Sequence, residues 1–159
     1  MTAALDLRLR ALEQAFVTIA ETRMAGLPIL NAALSVETLG FEIEADAEAA
    51  IGVLITPWFM NLIWLPIMRS EALAPSGAGT IRTVGSEQFE FIAAHEEAIG
   101  AYALCSLFSP MSEFSDQTSA RTMAQAILDT LRQPPAPPAR PALDRRAFLF
   151  GRSPTGAVP

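Results

Sequence analysis

Residues 49–68 read AAIGVLITPWFMNLIWLPIM, and these twenty residues without a charge decide the fold. A helix of this length can span a bilayer. However, Pro57 and Pro66 would each remove a helical hydrogen bond and clash with the preceding turn. The β-branched residues and the two tryptophans favour strands. The stretch therefore predicts two buried β-strands joined at Thr56-Pro57, and no membrane span.

The residues on both sides of this stretch support burial in a protein core. Arg69 is the only basic residue within ten positions of either end. Membrane spans usually carry orienting clusters of basic residues in their flanks. Ile51, Val53 and Ile55 share one strand face, and Leu54 makes the opposite face partly apolar. A strand that is apolar on both faces is typical of the centre of a sheet that is covered on both sides.

The whole chain has the composition of one folded domain with a basic end. Its 159 residues are 51% hydrophobic, which excludes a disordered chain and allows a sizeable core. Residues 1–131 carry six arginines and sixteen acidic residues, a net charge of −10, whereas residues 132–159 carry five arginines and one aspartate, a net charge of +4. An acidic body argues against nucleic-acid binding and suits a basic peptide or protein partner. We expect a single domain over residues 1–132 and a Pro/Arg-rich extension over residues 133–159.

Three absences in the sequence bear on location and chemistry. The chain begins without a basic segment followed by an apolar one, so we expect no secretory signal. The single cysteine cannot form an intrachain disulfide, which suits the cytoplasm. The chain has no lysine, and this removes Walker A phosphate binding, Schiff-base chemistry and a Ser-Lys dyad.

The remaining periodicities predict an α+β fold. Residues 4–24 and 115–132 have the apolar spacing of amphipathic helices, and Ser115 is the predicted N-cap of the second. Alternating or continuous apolar runs predict strands over residues 34–47, 80–84, 89–95 and 99–108. We therefore expect a mainly antiparallel sheet of about five or six strands, packed against both helices.

Two of these strands have a predicted distribution of side chains between their faces. In the first, acids occupy one face: Glu42, Glu44, Asp46 and Glu48. This face is interpreted as a solvated surface, with a landing site for arginines as the functional alternative. In the last, one face is predicted to hold Ile99, Ala101, Ala103, Cys105 and Leu107, and the other to hold Tyr102, Leu104 and Phe108.

The sequence contains no recognisable set of catalytic residues. One histidine and one cysteine cannot make a typical zinc site, and no CxxC, HExxH or GxSxG motif is present. His95 is in phase with phenylalanines, and Cys105 with aliphatic residues, so a structural histidine and a buried thiol are expected. We predict no metal, no cofactor and no enzymatic activity. A small enzyme or redox-linked factor that uses His95 or Cys105 is the alternative hypothesis.

Binding has more support in the sequence. Trp58 and Phe59 follow Thr56-Pro57 at the end of a predicted strand, where side chains often reach the rim of a sheet. Tryptophan is enriched among the anchor residues of interfaces. Near the other end of the chain, an arginine pair precedes Phe148, Leu149 and Phe150, and this apolar run is expected to dock either on its own domain or on a partner.

Three segments, taken together, resemble one protein family. They are Ile55–Trp58 with its apolar continuation, Cys105–Met111 (CSLFSPM) and Arg145–Arg152 (RRAFLFGR). In this order and spacing they resemble the HybE/HupJ family of [NiFe]-hydrogenase assembly chaperones, from the first helix to about Arg152. Some relatives carry a rubredoxin module with paired CxxC motifs, which this chain lacks.

The resemblance implies a non-enzymatic cytoplasmic maturation factor. Proteins of this family are thought to hold the hydrogenase small subunit before export or before pairing with the large subunit, and some bind its twin-arginine signal peptide. Others are linked to oxygen protection during cluster assembly. The hypothesised client contacts are Pro57, Trp58, Phe59, Arg145, Arg146, Phe148 and Phe150. The acidic body is suited to steering an arginine-bearing client.

Overall fold

The computed structural model describes residues 3–45, 48–71 and 75–133. Within them the chain forms two helices and six strands. The helices are α1 (Ala3–Glu21) and α2 (Gln117–Leu131). The strands are β1 (Glu37–Ile43), β2 (Ala49–Ile55), β3 (Met60–Pro66), β4 (Gly79–Val84), β5 (Glu87–Glu96) and β6 (Gly100–Phe108).

The strands form one antiparallel sheet in the order β1-β2-β3-β6-β5-β4. This arrangement confirms the predicted α+β fold. The stretch 49–68 supplies β2 and β3, and every residue of β2 is buried. Because β3 pairs with both β2 and β6, it lies at the centre of the sheet. No helix among the described residues has the length and hydropathy to cross a membrane.

The two helices belong to separate cores on opposite faces of the sheet. One core joins α2 to residues such as Ile51, Val53 and Leu62, and the other joins α1 to Leu54 and Ile63. Alternate residues of β2 and β3 therefore enter different cores, since successive strand side chains point to opposite faces. This explains why the central stretch is apolar at almost every position.

The sheet curls around α2. The backbone carbonyl of Leu131, at the end of α2, accepts a hydrogen bond from the Ser86 amide in the β4–β5 turn (3.0 Å). On the other side, the Arg132 guanidinium donates to the carbonyls of Gly40 (2.8 Å) and Ile51 (2.9 Å). Both halves of the sheet thus contact the same end of α2. This end of α2 is also where the Pro/Arg-rich extension begins.

Stacking of an arginine on a tryptophan supports the same curvature. The Arg82 guanidinium of β4 lies 3.8 Å from the ring centroid of Trp64 on β3. β4 and β3 are not neighbours, because β6 and β5 lie between them. The contact therefore requires the β4–β5 hairpin to bend towards α2, and it leaves Trp64 half-buried.

Side-chain contacts attach α1 to the sheet at two points along the helix. Glu13 accepts hydrogen bonds from the Thr38 amide (2.9 Å) and hydroxyl (2.7 Å) on β1. Arg8 donates to the carbonyls of Pro66 and Ile99, each at 2.9 Å. Burial and the nearby Arg69 lower the pKa of Arg8. These bonds fix the position of α1 across β1, β2 and β3. The buried apolar side chains of α1 cover this face of the sheet.

Helix and strand boundaries correct the sequence prediction in three places. α1 ends at Glu21, and the chain continues in turns to Gly26. β1 ends at Ile43, because the Glu44 amide bonds back to the Ala49 carbonyl (2.8 Å) and begins the turn. The predicted strand 34–47 was therefore too long, and Asp46 and Ala47 lie outside the described residues. Asp116, not Ser115, is the N-cap of α2.

The α2 cap is a reciprocal pair of hydrogen bonds. The Asp116 carboxylate accepts from the Ser119 amide (2.8 Å), and the Ser119 hydroxyl accepts from the Asp116 amide (3.3 Å). This capping box satisfies two donors that a helix end would otherwise leave free. Ser115 is an equally suitable N-cap by residue type, and only the backbone conformation places Asp116 at the N-cap position.

The faces of β6 were also predicted wrongly at two residues. Ile99 precedes the strand and belongs to the α1-side core, away from Cys105 and Leu107. Phe108 packs against the α2-side core together with Leu107. The cause at Phe108 is a register shift, since Met60 pairs with Phe108 whereas Asn61 pairs with Ser106. The extra residue breaks the alternation on which the prediction relied.

Candidate functional site

Two of the three segments that carry the family resemblance meet at one end of the sheet. The β2–β3 turn, residues 56–59, contains Thr56-Pro57-Trp58. The next residue, Met60, pairs with Phe108 at the end of β6. The chain after Phe108 forms the Ser109-Pro110 loop, which is thus placed beside the turn although about fifty residues separate them in sequence.

Asn31 connects the segments at this end. Its backbone amide donates to the Pro57 carbonyl (2.9 Å). Its side-chain amide nitrogen donates to the carbonyls of Met111 (3.0 Å) and Phe114 (2.8 Å). One residue in the loop after α1 therefore fixes both the aromatic turn and the Pro110 loop. Asn31 was not predicted from the sequence, because no short-range pattern shows bonds across about eighty residues.

Thr56 shapes the aromatic turn. Its buried hydroxyl accepts hydrogen bonds from the amides of Trp58 (3.2 Å) and Phe59 (3.0 Å). Its own amide donates to the Phe59 carbonyl (2.8 Å). These bonds satisfy the backbone within the turn and keep it in one conformation. The adjacent Pro57 and Trp58 are half-buried, and so is Phe59.

The two aromatic side chains of the turn contact Phe16 of α1. The ring centroids of Phe16 and Trp58 are 6.3 Å apart, and those of Phe16 and Phe59 are 5.7 Å apart. Trp58 and Phe59 meet edge to face at 5.4 Å. Trp58 thus has one side packed against the core and another side accessible at the surface. This is the geometry of an anchor that is already ordered before a partner binds.

A groove opens on the other side of the Pro110 loop. We call it the Pro110 groove; its volume is about 800 Å³, and its lining includes Leu107, Phe108, Pro110, Glu113, Phe114 and Met123. Phe108 and Phe114 form its wall, edge to face at 5.1 Å. The Met123 side chain of α2 is 38% exposed within it. Ser106, Ser109, Ser112 and Ser119 complete the lining, so the groove combines apolar walls with hydroxyl groups and is open to solvent.

A second hollow of about 480 Å³ continues from this groove. The two share Pro110, Ser112 and Phe114, and the second is bounded on its far side by Pro28 and Ile29. Ile29 is 50% exposed and Leu27, two residues away, is 43% exposed. The two hollows thus run from Met123 past Pro110 to the loop after α1, and exposed apolar side chains lie at both ends of this path.

The charges near this surface are partly neutralised within the protein. Both carboxylate oxygens of Glu37 accept hydrogen bonds from Nε of Arg121 on α2, each at 2.9 Å. Glu113, at the groove, has no ion-pair partner among the described residues. On β1, Glu42 is paired with Arg132 at 3.3 Å. An arginine of the chain itself, Arg132, therefore binds to the acidic face of β1 for which arginine binding was the functional alternative.

His95 and Cys105 do not form a joint site. His95 is exposed on β5, where its Nε2 lies 3.2 Å from Glu71. Hydrogen bonds from Arg69 and His95 lower the pKa of Glu71. Cys105 is buried in the α2-side core. Because His95 pairs with Ala101, four residues along β6 from Cys105, the two are separated by roughly 13 Å along the sheet.

Metal-binding side chains are likewise dispersed. Across residues 3–45, 48–71 and 75–133, no three His, Cys, Asp or Glu side chains are arranged to hold a metal ion.

Substitutions at His95 and Cys105 are expected to leave the function intact. The family resemblance implies a role in hydrogenase maturation, so in a strain lacking this chain His95→Ala and Cys105→Ala should each restore hydrogenase activity to within about twofold of the unmodified protein. Cys105→Ala should lower the free energy of unfolding by about 1 kcal/mol, because it removes buried volume. Loss of maturation by either variant, with its fold intact, would instead support the enzyme hypothesis.

Comparison with known proteins decides the family. The family model described as "[NiFe]-hydrogenase assembly, chaperone, HybE" matches residues 7–151. The chain belongs to the HybE family of [NiFe]-hydrogenase assembly chaperones. This confirms the resemblance inferred from the three segments. The match includes Arg145, Arg146, Phe148 and Phe150, which lie outside the described residues, so their proposed contacts stay a prediction.

Curated relatives agree with membership of the HybE family. The chain is 50% identical over 159 aligned residues to "Protein HoxT" of Cupriavidus necator, an alignment that covers 91% of this chain and 89% of that protein. It is 36% identical over 125 residues to "Probable rubredoxin HupJ" of Rhodobacter capsulatus, covering 77% of this chain but 44% of that protein. The chain therefore matches less than half of this longer relative.

A solved structure shows the same fold. "Solution Structure of HybE from Escherichia coli" superposes with a TM-score of 0.63 over 92% of this chain and 90% of that chain, at 23% sequence identity. The six-stranded sheet with its two helices is therefore a HybE fold.

Proposed function

We propose that this HybE-family chain is a non-enzymatic cytoplasmic chaperone that binds the small subunit of a [NiFe]-hydrogenase before its export or its assembly with the large subunit. Its client-binding surface is the sheet end formed by Pro57, Trp58 and Phe59 together with the Pro110 groove. The tail residues Arg145, Arg146, Phe148 and Phe150, which were predicted from the sequence as client contacts, act on client binding by competing for the same groove.

The observation that carries this proposal is the meeting of two resemblance segments at one end of the sheet. Trp58 supplies an ordered aromatic anchor on the α1 side of the sheet, and the groove supplies a pre-formed, partly apolar channel on the α2 side. Asn31 forms hydrogen bonds to both segments. Pre-organisation lowers the entropy lost when a partner binds. A chaperone needs this kind of reversible affinity, whereas the described residues bring together no set of metal-binding side chains and keep His95 and Cys105 apart.

Charge complementarity supports an arginine-bearing client segment. Residues 1–131 have a net charge of −10, and Glu113 lies at the groove. A twin-arginine signal peptide joins adjacent arginines to an apolar run, and it would satisfy both the acidic and the apolar parts of this surface. The signal peptide is therefore one candidate contact, and the folded body of the small subunit is the other.

Capture of the small subunit is expected to depend on the groove. Met123→Glu places a carboxylate in the apolar channel at a partly exposed helix position, so capture of tagged small subunit should fall about tenfold or more. Thr122→Glu makes the same charge change one residue away on α2, outside the groove lining, and should capture normally. Trp58→Ala should also weaken capture, with circular dichroism confirming the fold.

The matched helix variants separate an effect at the groove from a general effect of added negative charge on α2. Equal capture by Met123→Glu and Thr122→Glu would reject the groove as the client site. Parallel capture of small subunit with and without its signal peptide then identifies the bound part. If the signal peptide is contacted, the leaderless form should bind about tenfold more weakly.

A further inference from the structure

The extension beyond α2 contains a segment that resembles a client. Arg145 and Arg146 are adjacent, and after Ala147 the apolar run Phe148-Leu149-Phe150 follows. Two adjacent arginines joined to an apolar run are the chemistry of a twin-arginine export signal. The segment follows the folded helices and strands in the chain, whereas an export signal precedes the domain that it directs, so it is not itself read as a signal.

The Pro110 groove fits this segment in chemistry. Its aromatic wall of Phe108 and Phe114 and the exposed Met123 can cover phenylalanine and leucine side chains. Glu113 offers a carboxylate without an ion-pair partner among the described residues. The residues after position 133 contain four arginines and one aspartate, a net charge of +3, opposite in sign to the body of the protein.

The length and position of α2 would allow this segment to reach the groove. The first turns of α2 line the groove through Ser119 and Met123, and its last residue, Leu131, leads into the extension. The 15 residues of α2 are about 22 Å long. Residues 134–141 include five prolines, and eight residues of polyproline II helix span about 25 Å. A stiff spacer of matching length can therefore return along α2 and place Arg145–Phe150 at the groove.

We propose that Arg145–Phe150 occupies the Pro110 groove in the free protein as an internal copy of the client's twin-arginine segment, and that the client displaces it. This inference rests on the proposed function, because it assigns the same groove to both. The tail then covers the apolar channel while no client is present. Peptides that bind the groove only weakly would not displace the tail, so the tail also increases selectivity for the client.

The expected size of the effect follows from the effective concentration of the tail. A short linker gives an effective concentration of about 1 mM. A segment with a dissociation constant of about 0.1–0.3 mM would then occupy the groove about 75–90% of the time. Since the apparent affinity scales with the free fraction of the groove, releasing the tail should strengthen client binding about four- to tenfold.

The test compares two paired tail variants in the full chain. Arg145→Gln/Arg146→Gln removes the twin arginines, and Arg140→Gln/Arg152→Gln removes the same charge outside the segment. The probe is a labelled synthetic peptide of about 20 residues with two adjacent arginines followed by an apolar run, and binding is measured by fluorescence anisotropy. We expect the first variant to bind about four- to tenfold more tightly, and the second to match the unmodified protein. Equal or weaker binding by the first variant would overturn the proposal.

Hydrogen exchange without any client supplies a second readout. The amides of residues 106–114 should exchange faster in Arg145→Gln/Arg146→Gln than in the unmodified protein, and Arg140→Gln/Arg152→Gln should show no change. Identical exchange in all three proteins would rule out a tail seated in the groove. Failure of the proposed function looks different, because then no form captures small subunit or peptide, while exchange still reports whether the tail covers the groove.

Discussion

Gly85→Ala is expected to lower the free energy of unfolding by about 3 kcal/mol or more, the largest stability effect that we predict. Gly85 has a φ of +62°, a conformation that costs other residues about 1–2 kcal/mol. A Cβ atom there would also overlap the backbone carbonyl of Leu131 at the end of α2. Backbone atoms of a packed helix cannot move aside cheaply, so overpacking adds about 1–3 kcal/mol.

The matched control for this change is Gly77→Ala. Gly77 also has a positive φ, +93°, but a Cβ atom added to it would meet no atom within 4 Å. Gly77→Ala should therefore lower the free energy of unfolding only by the cost of the positive φ, about 1–2 kcal/mol. Urea unfolding of both variants separates the two contributions. Equal losses would show that the β4–β5 turn and α2 are not in close contact.

Asn31→Ala is the second large expected effect, because it should lower both stability and client capture. The change removes the donor for the Met111 and Phe114 carbonyls and leaves them without their side-chain partner. Losing part-buried hydrogen bonds of this kind costs about 1–3 kcal/mol. The Pro110 loop would also lose its connection to the β2–β3 turn, so capture of small subunit should fall about fivefold or more.

Gln117→Ala provides the comparison for Asn31→Ala. Gln117 also bridges segments distant in sequence, since its side chain bonds the Ser35 amide (2.8 Å) and Glu37 (2.7 Å), but it does not line the groove. Its removal should cost less than about 1 kcal/mol and leave capture unchanged, because these contacts are largely at the surface. Urea unfolding and small-subunit capture measure the two effects. Normal capture by a folded Asn31→Ala protein would contradict a client site at the Pro110 loop.

Part of the site could be predicted from the sequence because its signals are local. The uncharged stretch 49–68, broken by Pro57, predicted both strands and the aromatic turn, since strand propensity and proline sterics act within a few residues. Trp58 was singled out from its position after Thr56-Pro57. The Pro110 loop was recognised only as part of a resemblance, and its contact with the turn was not predicted.

Other parts depended on contacts that no local pattern reports. Phe108 was assigned to the wrong face because a register shift opposite Met60 interrupts the alternation. Asn31 gave no signal, since its side chain bonds residues about eighty positions away. Helical periodicity placed Met123 in the apolar stripe of the second helix, whereas the structure leaves it 38% exposed at the groove. The glycine at position 85 has the sequence context of an ordinary turn residue, and only the fold brings the end of α2 against it.

The sequence by itself determined the α+β class, the two buried strands, the acidic body with its basic extension, and the family. The first three properties depend on composition and on periodicity within single elements, where each residue's own preference is sufficient, whereas the family was inferred from the resemblance of three segments. Only the tertiary structure decided that the helices lie on opposite faces, that the sheet curls around α2, and that the Pro57 turn and the Pro110 loop meet at one end of the sheet. Those features arise from pairing between distant strands, and register and curvature are set by the packing of all the strands together.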